Sequence, residues 1–425
     1  MNQPRIFITA ILIASASVFA AEPKPALETD KGLAERKLAV QTNEARLKET
    51  PRSTEVARAL ATSINDLAIY LSKRGQAGDF AKALELLKSS IDLREQLIKS
   101  NPGEGWAAHE ASENLNELGA LLVKQGQPGD LDKAFGHFTR SLELTEAALK
   151  ARPESKQAQR DVAVSSERLG VFLTRRGGDG DVEKAFTNLS RCATLSESLH
   201  KTDPDSADAM RDLATALERL GTFLFEREDE GDSAAAQANF TRSLELREAV
   251  LKKSPDSQDA SRDVSIGLEK LADFLIEQGG KNDSEKILAN LNRSLEIREV
   301  LMKANPTSAQ AARDLSVALN KLGDYLATLG KPEDATNALR HFERDLAISE
   351  KLLAANPNSA QAARDVVISH YKLANFSRST GNKAGEEKHF RACYDLLKNC
   401  AEKKLTFDQR IVELFEDLKE HFKVE

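Results

Sequence analysis

Aromatic side chains are scarce in this chain of 425 residues, at 5% with a single tryptophan, and cysteines number only three. Cys192, Cys393 and Cys400 cannot supply the paired framework of a disulfide-stapled domain. Cys393 and Cys400 lie seven residues apart on what should be one helix, about 10 Å of rise, too far to bridge. An excess of positive charge is also missing. Sixty Lys and Arg against 67 Asp and Glu leave a formal net charge of -7 and no basic stripe, so nothing would neutralise the phosphates of a nucleic acid, and none is expected as a partner. Beyond the N-terminal segment there is no long apolar run, so stable membrane insertion of the rest is not expected.

Catalytic signatures are missing as well. His109-Glu110-Ala111-Ser112-Glu113 approaches a zinc-protease motif, but a glutamate stands where the second histidine is needed, and His109 replaces the arginine of other copies of the same wording. There is no Gly-rich loop ending in Lys-Ser or Lys-Thr for phosphates and no G-x-S-x-G elbow. The expectation is a non-enzymatic chain with no metal and no cofactor.

What the chain has is a period. Pro51, Pro102, Pro153, Pro204, Pro255, Pro306 and Pro357 recur every 51 residues without an insertion, which indicates stacked supersecondary units rather than one closed core. Ser occupies the second position after the proline in six of the seven copies (Ser53, Ser155, Ser206, Ser257, Ser308, Ser359), where it can cap a helix starting there. Apolar residues then follow at helical spacing, as in Leu315, Leu319, Leu322 and Leu326. After a Gly-rich turn an Asp recurs (Asp79, Asp130, Asp181, Asp232, Asp283, Asp334; Gly385 departs) and is expected to be the N-cap of a second helix. That helix ends where the residue before the next proline leaves the helical region.

These residues resemble the tetratricopeptide repeat, whose pattern of Leu-Gly, Tyr, Ala, Phe and Pro has its places held here by Leu322-Gly323, Leu326, Ala338, Phe342 and Pro357, with leucine where the tyrosine falls. It recurs as Leu118-Gly119 with Ala134 and Phe138, and as Leu220-Gly221 with Ala236 and Phe240. Against the usual length of about 34 residues, three extra fall in the Gly to Ala gap and seven in each helical gap. Seven residues are about two turns, which lengthen a helix while keeping its buried face in register. The resemblance implies an all-α, right-handed α-solenoid of seven two-helix repeats of a long-helix type, with a concave groove that binds a protein or peptide. Two competing classes are an envelope receptor or enzyme with a small-ligand site in that groove, and a structural spacer or oligomerisation module.

In chain order, Arg5, an apolar run from Ile6 to Phe19 and small residues at Ala20 and Ala21 form the pattern of a secretory signal, read as residues 1–20. The rest is expected to be exported, periplasmic or secreted. Residues 21–32 read as a linker, 33–50 as an N-terminal capping helix, 51–405 as the seven repeats, and 406–425 as a C-terminal capping helix with Thr406 as its cap.

Site candidates come from two opposite signals. Arg-Asp pairs recur at Arg160-Asp161, Arg211-Asp212, Arg262-Asp263, Arg313-Asp314 and Arg364-Asp365, either as a ladder gripping a ligand from the groove or as a packing device between helices. Trp106 breaks the pattern, standing where other copies have Glu55, Gln157, Asp208, Asp259, Gln310 or Gln361. A large aromatic at a polar position is either a partner anchor or a plug over the Gly103-Glu104-Gly105 loop, and His109 shares its helix and either role. The small residue after each first-helix leucine (Gly119, Gly170, Gly221 and Gly323, with Ala68, Ala272 and Ala374) is expected to admit the second helix closely, with alanine tolerated in place of glycine. Five N-glycosylation sequons, at Asn188, Asn239, Asn282, Asn292 and Asn375, read as by-products of the repeat wording.

Overall fold

The computed structural model describes residues 26–76, 78–101, 104–279 and 283–422, and among these every regular element is a helix. Residues 1–20, read as a signal, lie outside the described residues. The chain divides into two compact units, Met1–Leu169 and Gly170–Glu425, with the division inside one helix. The first unit holds α1 (Ala26–Glu49), α2 (Thr54–Arg74), α3 (Asp79–Ser100), α4 (Gly105–Gln125), α5 (Asp130–Ala151) and the start of α6 (Lys156–Arg176). The second holds α7 (Asp181–Thr202), α8 (Ala207–Arg227), α9 (Asp232–Lys253), α10 (Gln258–Glu277), α11 (Ser284–Ala304), α12 (Ala309–Thr328), α13 (Pro332–Ala355), α14 (Ala360–Ser379), α15 (Lys383–Glu402) and α16 (Gln409–Phe422). Even-numbered helices from α2 to α14 are the first helices of the seven repeats and the odd-numbered helices after them the second. This is an all-α fold of seven two-helix repeats flanked by single helices.

The serine after each proline caps its helix as the spacing predicts: Ser53, Ser155, Ser206, Ser257, Ser308 and Ser359 accept the N–H three residues on at 3.1–3.3 Å, each contributing about 1 kcal/mol. Asp283 stands at the N-cap of α11 without a side-chain cap bond, and at three other positions the recurring aspartate does a different job. In α3, α7 and α9 the N-cap is a left-handed glycine without a side chain to offer. Asp79, Asp181 and Asp232, the first helical residues, reach back to the loop N–H of Gln76, Gly178 and Asp229 and take a two-pronged bond from Arg74, Arg176 and Arg227 of the preceding helix. The guanidinium beside each holds its carboxyl below the ordinary range. They clamp the turn rather than cap the helix, because the glycine turn directs the side chain backward.

In five of the seven pairs the contact between helices follows complementary sizes, and Gly170 against Leu189 departs from it. Gly119, Gly221 and Gly323 lie against Phe138, Phe240 and Phe342, while Ala68 and Ala272 occur where the residue 19 positions on is Leu87 or Leu291. A Cβ at Gly119 or Gly323 would fall 2.8 Å from the ring and at Gly170 2.7 Å from Leu189, whereas at Gly221 the nearest atoms stand at 3.3 Å. A methyl group at Gly221 therefore needs only a small shift of Asn239 and Phe240, whereas at the other three the facing side chain must move further. Buried serines lock the same interface: Ser90, Ser141 and Ser243 donate to the carbonyls of Ala61, Ser112 and Ala214, 29 residues earlier.

Both ends depart from the expected boundaries. Helix α1 starts at Ala26, taking in much of the segment read as a linker, because good helix formers follow Pro25. It lies on α2 through Gly32, Arg36 and Asn43, with Arg36 over the Tyr70 ring at 4.6 Å. At the other end Asp408, and not Thr406, caps α16, accepting the N–H groups of Arg410 and Ile411. The second helix of the last repeat has also slid. Asn382 caps α15 ahead of Gly385, and Cys393 contacts the carbonyl of Val367 at a spacing of 26 residues instead of 29. Phe390 and Tyr394 are thereby buried under Ile411, Leu418 and Phe415. All three cysteines are buried and none is joined in a disulfide.

Candidate binding surface on the first helices

Within each unit, rungs of the arginine-aspartate series join neighbouring repeats. In the second unit Arg211 lies 3.9 Å from Asp263, Arg262 makes bonds of 2.5 and 3.2 Å to Asp314, Arg313 lies 3.1 Å from Asp365, and Arg364 ends the series on Asp408 at 2.8 Å. In the first unit Arg58 binds Glu110 at 2.7 Å and His109 binds Asp161 at 2.7 Å. Arg160 and Asp212 are half-buried and neither is free. Asp161 and Asp314 are buried. For Asp263 and Asp365 burial pushes the carboxyl up in spite of the arginines beside them, so these side chains are held in place at a solvation cost. A ligand carboxylate would have to compete with the chain's own acids for each guanidinium.

Sequence reasoning missed two other charge systems. Arg140, Arg242 and Arg344 pair with Glu95, Glu197 and Glu299 on neighbouring second helices at 3.0, 2.7 and 2.6 Å, and Arg293 pairs with Glu248. These pairs are largely exposed and stabilise little. More consequential are Arg94, Arg247 and Arg298, buried between helices and bound to Glu110, Glu218 and Glu269. Their signal was the wording Leu93-Arg94-Glu95, Leu246-Arg247-Glu248 and Ile297-Arg298-Glu299, which does not say which of the two charges is buried.

Trp106 is half-buried on α4, and the Arg58 guanidinium stacks 4.4 Å above its ring while binding Glu110. Glu110 in turn receives the buried Arg94. One turn along, His109 sits between Asp161 and Glu113, the latter at 3.7 Å. The structure thus brings Trp106 and His109 together on one face with Arg58, Glu110 and Asp161. It does not join them to a metal-binding set, since no group of three or more His, Cys, Asp or Glu among the described residues could hold an ion.

The hydrogen bond to Asp161, opposed by burial and helped by the charges of Asp161 and Glu113, raises the His109 pKa. Stabilisation from this group is full below the unfolded histidine value, about 6.5, and is lost as pH rises through the raised folded value. His109→Arg, which installs the residue of the other rungs, is expected to remove this dependence. Thermal melting of the two proteins between pH 5 and 9 checks it: the parent should lose stability relative to the variant as pH rises, and parallel profiles would contradict the pairing.

No family model matches the chain, and no curated protein does. Solved structures similar to it include TPR and other helical repeat proteins. The apo form of the quorum sensor NprR from B. thuringiensis is 14% identical, covers 87% of this chain and 86% of that one, and has a TM-score of 0.49. The C-terminal part of a TPR repeat-containing protein from Cytophaga hutchinsonii is 13% identical over 80% of this chain and 98% of that one, with a TM-score of 0.40. The S. pombe nuclear import adaptor Nro1 is 11% identical over 86% of this chain and 99% of that one, with a TM-score of 0.42.

Proposed function

We propose that the chain is an exported, non-enzymatic helical-repeat scaffold that binds a protein or peptide through the first-helix surface around Trp106. The observation that carries this reading is the half-exposed Trp106 ring under Arg58, at a position polar in every other repeat. A partner covering that ring would remove apolar surface from water and strengthen the cation–π contact by excluding solvent. The apolar segment at residues 6–19 behind Arg5 supports export.

The test begins with a partner captured on the purified chain from an envelope extract, followed by quantitative binding. Truncating such an anchor costs about 2 kcal/mol or more, about thirtyfold in affinity. Trp106→Ala is therefore expected to weaken binding at least tenfold with little change in melting temperature, and Arg313→Ala to lower the melting temperature with little effect on binding. A Trp106→Ala protein that melts early and binds normally would make the residue a local plug.

A further inference from the structure

Helices α14 and α15 set two histidines face to face. His370 stands at the place that Ile64, Leu115, Leu217, Leu268 and Leu319 fill with buried aliphatic side chains. His389 meets it from α15, the helix that has slid relative to the other repeats. Their Nδ1 atoms lie 3.0 Å apart, with ring centroids at 5.3 Å and an angle of 36° between the rings. A contact of that length between two ring nitrogens needs one N–H and one bare lone pair, so at least one imidazole is neutral and directed at its partner. Both rings are half-buried, leaving one side open to water.

We propose that His370 and His389 form a chelating site for a borderline divalent transition-metal ion of the Zn2+, Ni2+ or Cu2+ class. Metal to imidazole distances of about 2.0–2.1 Å place two nitrogen ligands about 2.9 Å apart at a right angle and about 3.3 Å apart at the tetrahedral angle. The 3.0 Å separation lies between these, so an ion is accommodated by a swing of the rings about χ2, which is a soft torsion, without moving either helix. The donor ring gives up its Nδ1 proton and carries one at Nε2 instead, so both imidazoles stay neutral and no co-reactant is needed. Hard cations, which favour oxygen, are not suited to this pair. Since no third His, Cys, Asp or Glu among the described residues completes a cluster here, water fills the remaining positions and binding is reversible.

The experiment uses the untagged full chain, stripped with chelator and titrated calorimetrically with Zn2+ and Ni2+, with X-ray absorption on the loaded protein. The expected result is one ion per chain with imidazole nitrogen in its first coordination sphere. His370→Leu, which installs the leucine of four other repeats, and His389→Asn should each lower affinity at least tenfold while leaving the helical circular dichroism unchanged. Absence of binding to the parent chain at large metal excess overturns the proposal. So does binding that survives both substitutions, which would place the ion elsewhere. Should one variant fold poorly, the other variant and the parent's absorption spectrum still decide.

Discussion

Arg298→Ala is expected to destabilise the chain by about 3–5 kcal/mol, because it strands a carboxylate in the interior. Arg298 is 4% exposed and Glu269 5%. The two meet at 3.0 Å, and Arg298 also donates to Ser265 and to the carbonyl of Asp314 in the next repeat. Burial pushes the Glu269 carboxyl up in spite of Arg298, so the guanidinium does not make good all the hydration that is lost. Two consequences separate this from a generic core lesion. The double variant Arg298→Met with Glu269→Leu should recover most of the loss, since a buried pair exchanged for apolar side chains of similar volume is often neutral. Arg344→Ala, which breaks an exposed pair with Glu299, should cost less than about 1 kcal/mol. Urea unfolding of the four proteins decides, and equal losses for Arg298→Ala and Arg344→Ala would refute the distinction.

Gly323→Leu should be nearly as damaging. Even a methyl group at Gly323 would sit 2.8 Å from the Phe342 ring, so overpacking of about 1–3 kcal/mol for alanine opposes the gain of about 1 kcal/mol in helix propensity. Leucine adds three further carbons to the same space. The repeats contain their own remedy: Ala272 stands with Leu291 where Gly323 stands with Phe342. Gly323→Ala with Phe342→Leu should therefore be more stable than Gly323→Ala alone, while Gly221→Ala, with its neighbours at 3.3 Å, should be close to neutral. A melting temperature for Gly323→Leu equal to that of the parent would mean that this face is open.

The serine caps and the helical pattern were legible because they depend on residues within a turn or two of each other, and the period because the prolines recur every 51 residues without an insertion. The job of the recurring aspartate was not, since Asp79 on α3 and the Arg74 it binds are matched by the geometry of a glycine turn and not by helical spacing. The pairing of arginine with the aspartate of the next repeat depends on how far one helix stands from another, which the period alone leaves open. The slide of α15 was hidden for a further reason. Its sequence keeps the 51-residue spacing through Leu373 and Leu397, yet the Asn382 cap and the loss of the loop aspartate start the helix early. Trp106 was visible as an exception, but the Arg58 stacked on it lies 48 residues away in the chain.

Asp408 has a consequence for motion. The same carboxylate caps α16 and receives Arg364, the last rung of the series. Burial pushes its pKa up, but the bonds from Arg364 and the N–H of Ile411 prevail and hold it below the ordinary range, so its contribution is present above the unfolded value and fades as pH falls through the folded one. When α16 peels away, Arg364 loses its partner and Tyr394 of α15 loses the Phe415 and Phe422 rings at the same moment. The terminal helix and the last rung thus open as one cooperative unit and not by gradual fraying. The exposed end of the array is therefore guarded by a latch whose strength acid reduces.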